Sequence, residues 1–262
     1  MTAILKEFFG FGGYQREPEG YMSWQHLLFV STLMVIMIAS AIVLGRTYRH
    51  RSMAEKNKVL MITAIIMDST ELFKIVMMCF TTGDPMHWLK NLPLFLCSIQ
   101  LITIPLAAFT KGRIKEASLD FVFIFGILGA VLGTYFAGQN YGAYPVLSFD
   151  NVVSGITHSI SGFASLYIVI SGMQSMKKKN IPITFAIMGA FAVTAYIVNH
   201  LIDYNYMFLM RGDGTPYDIF YNLVGGNPVL YPIIVVGLFI LYISAFYGVY
   251  FLITKAINKK KK

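Results

Sequence analysis

The stretch Leu27–Arg51, LLFVSTLMVIMIASAIVLGRTYRHR, decides the fold. Residues 27–45 carry no charged side chain, and Arg46, Arg49 and Arg51 follow at once. A helix needs about 20 apolar residues to cross a hydrocarbon core of roughly 30 Å. A run of that length closed by arginines reads as a membrane span ending in a basic loop. The rest of the chain has the same character. Of its 262 residues, 56% are hydrophobic and only 13% charged, against roughly 25% charge in an average soluble domain. Mean hydropathy is +0.62. These values exclude a disordered chain, a nucleic-acid-binding domain and an ordinary cytosolic enzyme, and predict an all-α, polytopic membrane helix bundle.

Seven apolar stretches are long enough to span, at about 23–45, 59–81, 92–110, 119–137, 151–172, 182–203 and 229–254. The segment 203–228, with Arg211, Asp213, Gly214, Pro216 and Asp218, reads as a loop. This divides the chain into an extracytoplasmic segment 1–22, a seven-helix domain 23–254 and a basic tail 255–262. The first 20 residues mix Glu7, Arg16, Glu17 and Glu19 with glycines and aromatics. They hold no long apolar run, so no cleavable signal peptide is expected.

The formal net charge is +8, from 21 Lys+Arg against 13 Asp+Glu. In a soluble protein this would suggest an anionic partner. Here the loop positions matter first. The loop after span 1 holds Arg46, Arg49, Arg51, Lys56 and Lys58; that after span 3 holds Lys111, Arg113 and Lys115; that after span 5 holds Lys177, Lys178 and Lys179. The tail adds Lys255 and Lys259 to Lys262, while the opposite face has only Lys6, Arg16, Lys90 and Arg211. Sixteen basic residues thus face four, and Lys74 inside span 2 completes the 21. Seven spans alternate cleanly with this bias, which places the N-terminus outside and the C-terminus in the cytoplasm, at the cell membrane. Lysine-rich tails also attract anionic lipids.

Ionisable groups inside a bilayer cost about 2.5–3.5 kcal/mol each and are candidates for function. Span 2 carries Asp68, Glu71 and Lys74 at successive i,i+3 positions, on one broad face. The plain alternative is a Glu71–Lys74 pair that only holds the bundle together. At about 1.5 Å per residue, Cys97 lies about 8 Å, His158 and Lys74 about 10 Å and Glu71 about 15 Å from the outer ends of their spans. His26 sits one turn into span 1, and Asn199 and His200 lie near the outer end of span 6. Polar groups from several spans therefore converge in the outer half. Ser154, His158, Ser161 and Ser165 form one stripe on span 5, and Cys97 shares a face with Gln100. Such stripes also serve ordinary helix packing.

Cysteine beside histidine suggests nucleophilic catalysis. The imidazole can take the thiol proton, Lys74 can stabilise the thiolate, and an acyl group can pass to Cys97 as a thioester, with His158 as base and then acid. The alternatives are a small buried residue for Cys97, a Cys79–Cys97 disulfide, and a packing role for His158. No metal site and no cofactor is expected: His26, His158 and His200 form no HxxxH or HExxH pair. Gly10, Gly12 and Gly13 follow no strand and do not make a phosphate loop. Asp150 reads as a helix N-cap. A rhodopsin or receptor reading fails, because span 7 has no lysine before Lys255 and no Asp-Arg-Tyr follows span 3.

Two segments carry a resemblance: Trp88-Leu-Lys-Asn-Leu-Pro-Leu-Phe-Leu-Cys-Ser98 and Asn199-His-Leu-Ile-Asp-Tyr-Asn-Tyr-Met-Phe-Leu209. With His26, Glu71 and His158 they resemble the YwaF-like family of bacterial multi-pass membrane proteins, over about residues 20 to 250. That family is related to an animal transmembrane acyltransferase acting on phospholipids. The resemblance implies Cys97 as the acyl-accepting nucleophile and His158 as its partner. The family typically has His between Leu94 and Leu96, where this chain has Phe95; if that His assists the chemistry, this member lacks the assistance.

The expectation is a lipid acyltransferase or acyl-ester hydrolase with an outer-half polar cavity. Cys97 and His158 would be catalytic, and His26, Asp68, Glu71, Lys74, Gln100, Asn199, His200 and Asn205 would hold the headgroup or orient the pair. Membrane lipids would be its partners, with no nucleic acid; the sequence names no protein partner. The rival is a non-catalytic transporter or solute-binding subunit, with Pro105 and Gly126, Gly129 and Gly133 as sites of helix breakage. A third class, a structural partner of another membrane machine, is neither supported nor opposed.

Overall fold

The computed structural model describes residues 2–174 and 176–260 and is all-helical over them. Lys261 and Lys262 of the basic tail lie outside the described residues. Ten α-helices occur among those described: α1 (Ala3–Phe9), α2 (Trp24–Tyr48), α3 (Met53–Thr82), α4 (Gln100–Phe109), α5 (Gly112–Tyr135), α6 (Gly138–Ala143), α7 (Phe149–Ile170), α8 (Ile181–Ile202), α9 (Asp218–Leu223) and α10 (Leu230–Lys260). Short side chains start the long ones. Ser23, Ser52 and Ser148 each accept a backbone N–H from the first turn of α2, α3 and α7, satisfying donors that the helix itself leaves open.

Five helical stretches are long and apolar enough to cross a membrane: Trp24–Tyr48, Gly112–Ala143, Phe149–Ile170, Lys178–Ile202 and Leu230–Lys259. Their burial sets the layout. The apolar window of α7 is 56% buried and that of α5 44%, against 22% for α2, α8 and α10. Helices α5 and α7 are therefore the axis, and the others surround them. Helix α5 is buried on every face from Ala117 to Val122, Asp120 included. It gives Phe121, Ile124 and Phe125 to a core shared with α8 and α10, and Leu119 and Val122 to one shared with α3, α4 and α7.

Helix α3 has 30 residues, ample length to cross, but carries six charged side chains. It divides them by face. Ile62, Ile65, Ile66, Leu72, Val76 and Phe80 are exposed, while Glu71 and Lys74 are buried against the bundle.

The third expected span, 92–110, is α-helical only from Gln100 to Phe109. Pro93 has no N–H and disfavours helical backbone at the residue before it; Leu92 is accordingly extended, at φ −63° and ψ 149°. Leu94–Ile99 then run as turns. The Ser98 hydroxyl accepts from Phe95 N–H at 2.9 Å, and Ile99 N–H donates to Phe95 O at 3.0 Å. The broken backbone is thus satisfied within the protein, which is the condition for it to exist at membrane depth. Pro105 and Gly126, Gly129 and Gly133, read above as breakage points, lie inside continuous helices α4 and α5. The expected loop 203–228 contains α9 and a short 3-10 turn at Tyr206–Phe208.

The basic connections gather at one end. Asn57 donates to Ala108 O at 2.7 Å, Tyr167 to Lys56 O at 3.0 Å and Arg113 to Lys179 O at 2.8 Å. Lys177 pairs with Glu116 at 2.6 Å. At the opposite end, Glu19 accepts from Val146 N–H at 2.7 Å, and Phe9 of α1 rests on Phe149 with ring centroids 4.9 Å apart.

Candidate functional site

The break before α4 places Cys97 in a turn just ahead of a helix N-terminus, against the middle of α5. Glycine makes the approach possible. A Cβ on Gly129 would stand 3.3 Å from Cys97 Cβ. One turn along α5, a Cβ on Gly133 would stand 1.8 Å from Cδ2 and 2.0 Å from Nε2 of His158. Cys97 from the turn and His158 from α7 therefore lie side by side over a glycine face, close enough for thiol and imidazole to interact electrostatically. Both are half-buried.

The tautomer of His158 follows from its other partner. Its Nδ1 is 2.7 Å from Ser154 O, and a carbonyl only accepts, so Nδ1 carries the hydrogen. Nε2 is left with its lone pair on the edge that faces Gly133.

A charged layer lies toward the α7 N-terminus. Lys74 and Glu71 form an ion pair of 2.6 Å, with side chains 10% and 11% exposed. The Lys74 ammonium is within electrostatic range of Cys97, His158 and Asp150. Asp150 is not the N-cap expected of it; Ser148 is. Asp150 sits in the first turn of α7, buried, and accepts from Asn140 Nδ2 at 3.3 Å. Outside the spans, burial and then Asp150 push the Tyr144 hydroxyl above its usual range. Burial, followed by the neighbouring Lys90, holds His87 below its usual value.

Deeper in, two polar side chains have an unused buried atom: Oδ1 of Asp68 and Nε2 of Gln100. Gln100 Oε1 accepts from Thr103 at 3.1 Å. Ser165 donates to Phe123 O at 3.0 Å, beside Gly126, where a Cβ would stand 2.7 Å from Ser165 Cβ.

The remaining expected site residues are occupied elsewhere. His26 is fully buried, accepting from Met22 N–H at 3.2 Å and facing Thr134 O at 3.0 Å through Nε2. Both nitrogens are spent on backbone, and its ring stacks 3.9 Å from Tyr141; it pins the start of α2 to the end of α5. Asn199 clamps Tyr206, donating to its O at 3.0 Å and accepting from its N–H at 2.7 Å. Asn205 donates to Arg211 O at 2.8 Å and Asp213 Oδ2 at 2.7 Å, and accepts from Met210 N–H at 2.9 Å. His200 is exposed on α8, bonded to Tyr196 O at 2.8 Å. Phe95 packs among Tyr204, Tyr206 and Phe208, its ring 5.0 Å from that of Tyr206. Cys79 and Cys97 are both free thiols. Among the described residues, no three His, Cys, Asp or Glu side chains group as metal ligands.

Asp150 and Gly133 are the members that sequence reasoning missed. Asp150 carried a signal, a carboxylate in the first turn of a span, that fits a cap equally well. Gly133 had none beyond its spacing from Gly129.

No curated protein and no solved structure matches the chain. The TMEM164 family model matches residues 21–254, which takes in both the turn that carries Cys97 and the helix that carries His158. That match covers most of the chain and runs through all five long apolar helices, so this multi-pass membrane protein belongs to the TMEM164 family, a family of transmembrane proteins.

Proposed function

We propose that the protein crosses the cell membrane seven times and transfers acyl groups to or from lipids through Cys97 and His158. The two crossings added to the five long apolar helices are α3 and the broken segment ending in α4. What supports α3 is its division of faces, with aliphatic side chains outward and the Glu71–Lys74 pair inward. The basic connections at one end support a cytoplasmic location for that end and an extracytoplasmic N-terminus.

The observation that supports the chemical reading is a half-buried thiol set beside an imidazole over one glycine face, the imidazole's Nδ1 being fixed by Ser154 O. This is a nucleophile, a base and an orienter in sequence. Cys97 comes three residues before the positive N-terminus of α4, which favours a thiolate there. In the first half-reaction, His158 Nε2 takes the thiol proton and the sulfur attacks an ester carbonyl of the donor lipid. The tetrahedral adduct collapses to a thioester, and the departing alkoxide takes the proton from His158. In the second, His158 deprotonates the hydroxyl of a lysolipid, or water, which attacks the thioester and releases the Cys97 thiolate; His158 returns the proton. Glu71, Lys74 and Asp150 lie beside the reacting pair and would meet the polar headgroup.

The test is the cellular lipid profile. Wild type should alter the acyl composition of phospholipids in a host membrane, and Cys97→Ala and His158→Ala should each abolish the change. Identical profiles for wild type and both variants would overturn the assignment. The second reading, a solute path, rests on the unused polar atoms of Asp68 and Gln100 below the pair. It predicts substrate uptake that survives Cys97→Ala and fails with Asp68→Asn.

A further inference from the structure

A crevice of about 380 Å³ opens between the first turns of α3 and the end of α4, at the basic end of the bundle and away from the Cys97 site. Helix α4 has 10 residues, so about 15 Å separates its two ends. The crevice has two kinds of wall. Met53, Met61 and Phe109 make it apolar, and Met53 and Phe109 are exposed there. Met61 lies two turns into α3 from Met53, so the apolar wall runs about 12 Å along the helix. Lys111 and Lys115 also line it, Lys111 exposed and Lys115 partly buried.

The charge of the two lysines is not neutralised. Lys115 Nζ donates to Asn57 Oδ1 at 2.5 Å and Ala107 O at 2.7 Å, both neutral acceptors. An ammonium has three donors, so one is left over. The nearby carboxylates are taken: Glu55 by Ser52 and Arg51, Glu116 by Lys177 and Lys179. Among the described residues no carboxylate lies within ion-pair distance of Lys111 or Lys115. An apolar slot between two helices, lined also by two lysines without a carboxylate partner, has the chemistry of an anionic amphiphile.

We propose that this crevice binds an anionic phospholipid of the adjoining leaflet, its phosphate on Lys111 and Lys115 and the first part of an acyl chain along Met53, Met61 and Phe109. Charge complementarity selects the headgroup, and the depth of the apolar wall selects a lipid over a soluble phosphate. The site is separate from the Cys97 chemistry and stands or falls without it.

The full chain, purified in a mild detergent, is titrated with phosphatidylglycerol, with phosphatidylcholine of the same chains, and with inorganic phosphate, and its thermal unfolding midpoint is followed. Phosphatidylglycerol should raise the midpoint saturably, and the other two should not. Lys111→Gln and Lys115→Gln should each raise the half-saturating lipid concentration about fivefold. Because Lys115 also ties α3 to α4, Met61→Trp provides a second variant: it fills the slot, leaves both lysines, and should abolish saturation by phosphatidylglycerol. Equal response to phosphatidylcholine, equal response to inorganic phosphate, or an unchanged phosphatidylglycerol titration in Lys111→Gln and Met61→Trp would each overturn the proposal.

Discussion

Gly133 and His158 occupy one space: where a side chain at 133 would begin, the imidazole of His158 already stands, 1.8 Å from the position of the missing Cβ. Gly133→Ala therefore cannot be accommodated without moving the ring. The alanine gains about 0.5–1 kcal/mol of helix propensity, and overpacking costs about 1–3 kcal/mol. Stability should fall by up to about 2.5 kcal/mol while His158 is displaced from its place beside Cys97. Gly129→Ala is the control, since its Cβ would meet Cys97 Cβ at 3.3 Å, a distance that a small shift relieves. Alkylation of Cys97 by a small iodoacetamide, in a Cys79→Ser background, should slow at least about tenfold in Gly133→Ala. In Gly129→Ala it should stay within about threefold of wild type. Equal rates in all three would separate the thiol from the imidazole.

Glu71 and Lys74 raise a different question, because a buried pair can hold the bundle or serve the site. Removing one partner of a buried pair costs about 3–5 kcal/mol, since a charge is left unmatched. Glu71→Gln should thus lower the thermal midpoint strongly, and Lys74→Met should do the same. The double variant Glu71→Gln/Lys74→Met removes both partners, leaves only Asp150 without its nearby cation, and should regain part of the stability. If the pair is only structural, the double variant also regains lipid acyl remodelling. A stable double variant without remodelling assigns the pair to the site.

The long helices could be read from the chain because a bilayer leaves few options: apolar length and a basic bias suffice. What escaped was set by partners distant in sequence. Residues 94–99 are as apolar as any span, and only Pro93 marks that the helix waits until Gln100. His26, Asn199 and Asn205 have the chemistry of a site, yet each is spent on main-chain groups: Thr134 O, Tyr206 and the 210–211 turn. No spacing rule reveals that a side chain is saturated. Asp150 shows the converse, since a carboxylate one turn from a cap looks local until the fold brings Asn140 and Lys74 to it.

The N-terminal segment gives a pH dependence. Glu7 accepts the backbone N–H groups of Gln15 and Arg16, both at 3.0 Å, and those two bonds hold its carboxyl below the usual glutamate value of 4.5. A carboxyl lowered by folding stabilises the folded segment above its unfolded value, and that contribution disappears as pH falls through the lowered value. The turn 10–16 should therefore stay closed above the usual glutamate value of 4.5 and loosen as pH falls below it, through the lowered value. Amide exchange at Gln15 and Arg16, corrected for intrinsic rate, should rise over that interval while exchange in α5 stays flat. Glu7→Gln, which cannot ionise, should show the faster exchange at every pH.

Sidedness is the last property that the charges dictate. The connection carrying Lys177, Lys178 and Lys179 lies at the end where Lys177 meets Glu116 and Arg113 meets Lys179 O. The segment carrying Glu19 and Tyr21 lies at the other, where Glu19 takes Val146 N–H. Basic residues in short connections are retained on the cytoplasmic side during insertion. A chain lacking Cys79 and Cys97 but carrying Lys178→Cys should resist a membrane-impermeant maleimide in intact cells and react once the membrane is opened. The same chain carrying Tyr21→Cys, at an exposed position, should react in both. Loss of one of the five crossings between them would put positions 21 and 178 on the same side, so labelling of both in intact cells would break the alternation itself. The reverse pattern, Lys178→Cys labelled and Tyr21→Cys protected, would keep the alternation and invert the molecule, and the lipid proposed to reach Cys97 and His158 would then come from the cytoplasmic leaflet.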